Sequence, residues 1–241
     1  MSAAPEQPVL LSGPRGLAID LDGTLLDSMG DHARTWQQAF EAYGLPAPIA
    51  WFYQWEGIIG PEVVDLGVAR LGANMSAADR RGIYERKQAL FNASFQPRPI
   101  PGADMLRRVI ERFSYPVAVV TGSEHDTARR MLDAISFDGV VKAIIGGDNV
   151  RRGKPAPDPY LLAAQRLGAP PAHMLVLENA PEGIRSARAA DMLCIAVETT
   201  LDAASLNGAQ RILPGLEAFA ALLEAEYRHS GGAGPWRIGD V

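Results

Sequence analysis

Two aspartates one residue apart, Asp20 and Asp22, close the apolar run Leu17, Ala18, Ile19 and are followed at once by Gly23 and Thr24. Carboxylates held this close disfavour joint ionisation. Either a positive group sits between them or one keeps a proton, and both arrangements serve chemistry. Taken alone, Asp-Gly after an apolar run is also an ordinary turn. The other polar positions therefore have to decide.

Those positions recur after further apolar runs. Pro116–Thr121 (PVAVVT) ends in Thr121, Gly122 and Ser123; Val140–Ile145 leads into GGDNVRRGKPAPDP, where Lys154 sits between Gly153 and Pro155; Met174–Leu177 leads into Glu178 and Asn179, just ahead of Pro181. Asp20, Asp22 and Glu178 offer carboxylates and Asn179 a neutral oxygen, a hard-oxygen set that suits Mg²⁺. Lys154 adds positive charge without competing for the metal. Thr121 and the backbone N–H groups of Gly122 and Ser123 at a helix start form a phosphate cradle, and Gly23 and Thr24 are counted with it. A carboxylate beside a bound phosphate can attack it and form an aspartyl-phosphate. Beside an aspartate that attacks, Asp22 is read as the acid that protonates the leaving alkoxide and the base that activates water.

The elements that must deliver these groups are strands apolar on both faces: Gly16–Leu21, Pro116–Thr121, Val140–Ile145, Met174–Leu177, Leu193–Val197 and a short Arg211–Leu213. Such runs suit a parallel sheet covered on both sides. Between them, Pro101–Phe113, Glu124–Ile135, Pro159–Leu167 and Pro181–Ala190 carry apolar residues at helical spacing. Strand alternating with helix predicts a doubly wound α/β, Rossmann-like core. In such sheets ligands bind beyond the carboxyl ends of the strands, where the polar residues fall.

The segment from the first strand to the second is longer than a crossover needs. Helical patterns over Asp31–Tyr43, Glu62–Leu71 and Ser76–Ser94 predict a small helical cap domain over 29–98, with linkers near Leu26–Gly30 and Gln96–Pro101. A helical insertion at the ligand end of a sheet is a natural lid. The core domain is expected over 16–28 and 99–228, with a disordered lead over 1–15 and a flexible tail over 229–241. The aromatic cluster WFYQW (51–55) is read as core of the cap rather than a sugar platform, and Tyr160 as packing.

Composition narrows the classes. The 241 residues are 47% hydrophobic, enough for a core. With 23 Lys plus Arg against 28 Asp plus Glu, the net charge of −5 argues against a nucleic-acid partner. The single cysteine, Cys194, excludes an internal disulfide and a thiolate zinc cluster; its apolar surroundings make it a small core side chain. No apolar stretch reaches membrane-spanning length, and the N-terminus lacks the pattern of a secretory signal. A cytoplasmic protein, monomeric or a weak homodimer and without a membrane partner, is expected.

Taken together, DLDGTLLDS, VVTGS, GKPAPDPY and LVLENAPEGIRSARAADM resemble the haloacid dehalogenase superfamily, in the branch with a helical cap that holds β-phosphoglucomutase-like and phosphoglycolate-phosphatase-like enzymes. The resemblance runs in order and spacing from Gly16 to Leu223. It implies Asp20 as nucleophile and Mg²⁺ ligand, Asp22 as general acid/base with its backbone carbonyl on the metal, Thr121 on the transferring phosphoryl group, and Lys154 as the neutralising cation. Glu178 matches the first acid of the last motif. The usual second acid is Asn179 here, which removes one negative charge. Asp22 favours phosphate esters, since a departing halide needs no proton.

His32 and Trp36 also match the β-phosphoglucomutase-like pattern, which would bring His32 to the site; the alternative is an exposed helix residue beside an N-capping Asp31. The matching cap loop, GIIGPE from Gly57, holds no arginine for a second phosphate, although Lys87 or Arg86 could reach in. The resemblance thus implies a Mg²⁺-dependent phosphatase acting on a small phosphorylated metabolite, such as a sugar phosphate or a phosphoglycolate-like ester. A phosphohexomutase is the alternative, and a non-catalytic phosphate-ligand binding protein a third reading.

Overall fold

The computed structural model describes residues 10–11, 16–230 and 236–237. The chain begins with β1 (Leu10–Leu11) and β2 (Gly16–Asp20), a run buried along its whole length. Four helices follow: α1 (Met29–Glu41), α2 (Ile49–Gln54), α3 (Gly60–Arg70) and α4 (Ala77–Ser94). After α5 (Ala103–Phe113) strand and helix alternate: β3 (Val117–Val120), α6 (His125–Ala134), β4 (Val141–Ile145), α7 (Asp158–Leu167), β5 (Met174–Glu178), α8 (Pro181–Ala189), β6 (Leu193–Val197) and β7 (Arg211–Leu213). The last elements are α9 (Leu216–Ser230) and β8 (Trp236–Arg237).

Six strands form a parallel sheet in the order β4-β3-β2-β5-β6-β7. Because side chains alternate along a strand, β2 feeds two separate apolar layers. Leu17 and Ile19 face Leu106, Ile110, Met131 and Phe219, while Ala18 faces Tyr160, Ala163 and Ile184. The helices cover both faces, as the doubly wound expectation required, and strand starts and ends agree with the apolar runs to within a residue or two. The sheet reverses its winding at β2, and all its carboxyl ends open on one edge, so the aspartates of β2 stand at the switch point.

Helices α1 to α4 pack on one another around Trp36, Phe40, Phe52, Val64, Val68 and Ile83. Ser76 caps α4 by accepting the Asp79 backbone N–H at 3.1 Å. α2 was not anticipated as a helix, because six aromatic-rich residues are too short for helical periodicity to register. Within it Phe52 is buried against Trp36 and Phe40, whereas Tyr53 is exposed. The two linkers lie side by side: the Asp27 N–H donates to the Arg98 carbonyl at 2.8 Å and the Ile100 N–H to the Leu25 carbonyl at 2.9 Å. Arg98 also reaches Asp31 across this hinge at 2.9 Å.

The lead and tail expected to be disordered fall largely outside the described residues. Where they are described, Leu10–Leu11 pairs antiparallel with Trp236–Arg237, and α9 continues to Ser230, into the expected tail. Among the described residues no helix is long and apolar enough to cross a membrane.

Phe40 is wholly buried at the centre of the helical cluster, with Gly67 against its ring. Phe40→Ala should lower stability by about 3–5 kcal/mol, measured by urea denaturation. A loss under about 1 kcal/mol would show that the cluster collapses around the gap rather than depending on the ring.

Candidate active site

Each polar strand end expected from the sequence arrives at the carboxyl edge of the sheet. Asp20 ends β2, Thr121 follows β3, Lys154 lies in the loop after β4 and Glu178 ends β5. At the centre the Lys154 ammonium donates to Asp20 Oδ1 at 2.6 Å, Glu178 Oε1 at 2.6 Å and the Val120 carbonyl at 3.2 Å. Its three protons thus have three acceptors, which permits a charged group only 2% exposed. Burial works against the ammonium, but Asp20 and Glu178 outweigh it and hold Lys154 protonated.

Glu178 is fully engaged. Its Oε1 also accepts from the Tyr160 hydroxyl at 2.6 Å, and its Oε2 from the backbone N–H groups of Asn179 and Ala180. Tyr160 is therefore more than packing. A Cβ on Gly183 would lie 1.7 Å from Glu178 Oε1, so this helix can approach the carboxylate only through a glycine. Asp20 differs: its Oδ2 is buried and has no hydrogen-bond partner. Burial, with Lys154 opposing and Glu178 adding repulsion, pushes the Asp20 carboxyl up to about 8.

Asp22 is held from four sides. Oδ1 accepts from Ser28 Oγ at 2.6 Å and faces His32 Nε2 at 2.8 Å; Oδ2 accepts from Thr121 Oγ1 at 2.7 Å and Ser123 Oγ at 3.1 Å. Burial would raise its pKa, but His32 and these hydrogen bonds prevail and keep it below the usual carboxylate range. His32 is buried, not exposed, and its ring stacks on Phe91 at 4.0 Å. Its Nδ1 lies 2.9 Å from Lys87 Nζ. An ammonium only donates, so Nδ1 accepts and Nε2 carries the hydrogen given to Asp22. Burial pulls Lys87 down to about 8, and burial together with Lys87 lowers His32. Asp31 does not cap α1: the N-cap is Ser28, and Asp31 pairs with Arg34 and Arg98.

Asn179 is committed on both sides of its amide. Oδ1 accepts from Thr24 Oγ1 at 2.8 Å, and Nδ2 donates to Glu56 Oε1 at 2.6 Å and Thr200 Oγ1 at 2.7 Å. Glu56, just beyond α2, is only 5% exposed, and burial raises its pKa well above the ordinary range.

These groups surround a cavity of about 50 Å³. Of the residues expected at the site, Asp20, Asp22, His32, Gly57, Gly122 and Ser123 line it. Thr121, Lys154, Glu178 and Asn179 stand behind its wall. Thr24 and Gly23, expected on a phosphate, are corrected: Thr24 is fully buried and spends its hydroxyl on Asn179, while Gly23, at φ 81°, packs beneath Asn179 and Glu56. Lys87 lines the cavity and Arg86 is exposed. Sequence reasoning missed Glu56, Ser28, Thr200 and the Tyr160 hydroxyl. The one available signal for Glu56 was a lone acid in an aromatic stretch, directly before Gly57.

A family model for haloacid dehalogenase-like hydrolases matches residues 14–191. The fructose-1-phosphate phosphatase YqaB of Escherichia coli is 33% identical over 181 residues, covering 73% of this chain and 93% of its own. Hexitol phosphatase A of the same organism is 32% identical, covering 84% and 92%. Among solved structures, a protein provisionally described as a β-phosphoglucomutase from Bacteroides vulgatus superimposes with a TM-score of 0.80 at 30% identity, covering 89% of each chain.

The Lys87 environment predicts a pH signature. An unfolded lysine titrates near 10.5 and the buried one near 8. Between these values the unfolded chain binds the extra proton, so stability rises with pH. Relative to Lys87→Met, the wild type should gain up to about 3 kcal/mol between roughly pH 8 and 10.5, with a flat difference below pH 8. Urea midpoints of both proteins across this range measure it; a flat difference throughout would mean that Lys87 is solvated.

Proposed function

Because the chain belongs to the haloacid dehalogenase-like hydrolases, we propose that it is a Mg²⁺-dependent phosphatase of small phosphate monoesters, with sugar phosphates as the leading substrate class. The observation that carries this reading is Asp20 Oδ2, a buried carboxylate oxygen without a partner on a cavity wall, while Lys154 fixes Oδ1. An unpaired buried oxygen is costly, and it fits either an electrophilic phosphorus or a cation.

Asp20 attacks the phosphorus, the bond to the ester oxygen breaks, and Asp22 gives the departing alkoxide a proton. The Asp22 proton comes through His32: Nε2–H passes to Asp22 Oδ1 as the Lys87 ammonium supplies Nδ1. Water then attacks the phosphorus of the aspartyl-phosphate and loses its proton to Asp22, which returns a proton through His32 to Lys87. Inorganic phosphate leaves and Asp20 is restored. Bound Mg²⁺ supplies the charge that lets an anionic phosphate approach an anionic nucleophile. Among the described residues no three His, Cys, Asp or Glu side chains form a finished ligand group, but Mg²⁺ usually takes one or two carboxylates and keeps waters or phosphate oxygens. The Thr121 and Ser123 hydroxyls, which now hold Asp22, are the donors that the phosphoryl group would take over. The cavity has room for an ion and a few waters, too little for a sugar phosphate, so substrate enters by cap opening at the paired linkers.

A phosphomutase is the second reading. Lys87 favours it as a cap cation on the cavity, and so does the Bacteroides neighbour; the arginine-free cap loop from Gly57 opposes it.

Phosphate release from a panel of sugar and short hydroxy-acid phosphates, with and without Mg²⁺, tests both readings. Metal-dependent release is expected, and Asp20→Asn should reduce it by at least about a thousandfold. Conversion of a sugar-1-phosphate to its 6-phosphate without release would replace the phosphatase by the mutase. An Asp20→Asn enzyme that kept most of its rate would remove the covalent route.

A further inference from the structure

Charge around Asp20 is unbalanced. Asp20, Glu56 and Glu178 are all buried carboxylates, exposed by 4%, 5% and 0%. Lys154 serves Asp20 and Glu178 together. Asp22 has a cation of its own, the Lys87 ammonium, reached through the neutral imidazole of His32. Among the described residues no ion pair reaches Glu56; its hydrogen bond comes from the neutral amide of Asn179. Three carboxylates against one ammonium leave two negative charges, the charge that one divalent cation would cancel. Isolated buried charge is otherwise too costly to keep.

Glu56 is also aimed at the right place. It lines the same cavity as Asp20, whose Oδ2 lacks a partner. It presses on the turn that follows Asp22: a Cβ on Gly23 would stand 2.5 Å from Glu56 Oε1 and 2.3 Å from Asn179 Nδ2. Asn179 donates to Glu56 from Nδ2, a contact that an ionised carboxylate would accept.

We propose that Glu56 supplies, from the helical cap, the second carboxylate of a divalent-cation site whose first is Asp20, and that Asn179 clamps Glu56 instead of binding the cation itself. The inference rests on the Mg²⁺ reading above and deepens it. It makes cation binding and cap closure a single event, since one ligand stands on each side of the hinge.

Calorimetric titration of Mg²⁺ into the full chain tests this without turnover. Glu56→Gln should weaken binding by about tenfold or more. The exchanged pair Glu56→Gln with Asn179→Asp keeps the hydrogen bond with its direction reversed and returns the negative charge, so it should recover most of the affinity. Melting temperatures separate a ligand from a mere latch: Glu56→Gln should lose the Mg²⁺-induced gain in Tm while the metal-free Tm holds or rises. Unchanged Mg²⁺ affinity in Glu56→Gln overturns the proposal, as does an exchanged pair as weak as the single variant. A Tm loss in Glu56→Gln that is equal with and without Mg²⁺ also overturns it. If the wild type itself binds no Mg²⁺, the cofactor reading fails first and this inference with it; wild-type binding beside an unaffected Glu56→Gln removes this inference alone.

Discussion

Lys154 places one ammonium where three parts of the chain end. Its contacts to Asp20, Val120 and Glu178 tie the tips of β2, β3 and β5 together inside the protein. Without that cation the two carboxylates would face each other across a dry site; losing one partner of a buried pair typically costs about 3–5 kcal/mol. The groups around Glu178 keep this contact whole. Tyr160 and two backbone N–H groups fix Glu178, and Gly183 leaves room for it. With Glu178 spent on structure, Asp20 is the one of these two carboxylates that keeps an uncommitted oxygen.

The cap supplies the other half of the environment. His32 and Lys87 lie on α1 and α4, and Glu56 follows α2. Each meets a core residue or a partner that does: His32 meets Asp22, Lys87 meets His32, and Glu56 meets Asn179. Opening the cap would separate His32 from Asp22 and Glu56 from Asn179, carry the His32–Lys87 pair along unbroken, and leave the Lys154 network intact. The site therefore has one part built by the sheet and another built by the cap.

That division also explains what was legible in the sequence. Asp20, Thr121 and Glu178 could be read because each directly follows an apolar run, and Lys154 because it lies in the loop after one; a parallel sheet sends all such ends to one edge. The fold followed from the same runs. Glu56, the Tyr160 hydroxyl and the choice of Lys87 over Arg86 could not be read, because they depend on how side chains far apart in sequence meet. Thr24 was misread for a related reason: its place in the motif is clear, but the direction of its hydroxyl is set by Asn179, far along the chain. α2 escaped because its aromatic residues have little helical preference of their own and are held by packing on α1.

The sheet register carries a further consequence for how the chain is made. Leu17 of β2 pairs with Val117 on one side and Leu175 on the other. The strand bearing Asp20 thus leaves the ribosome long before either neighbour exists. α1 to α4 emerge next, and their contacts are local enough to form at once, whereas non-local strand pairing is slow. Until β5 arrives, a strand apolar up to its terminal Asp20 keeps an open edge, the kind that pairs with foreign strands. Placing the strand of Asp20 at the middle of the sheet protects it in the finished protein and exposes it during synthesis.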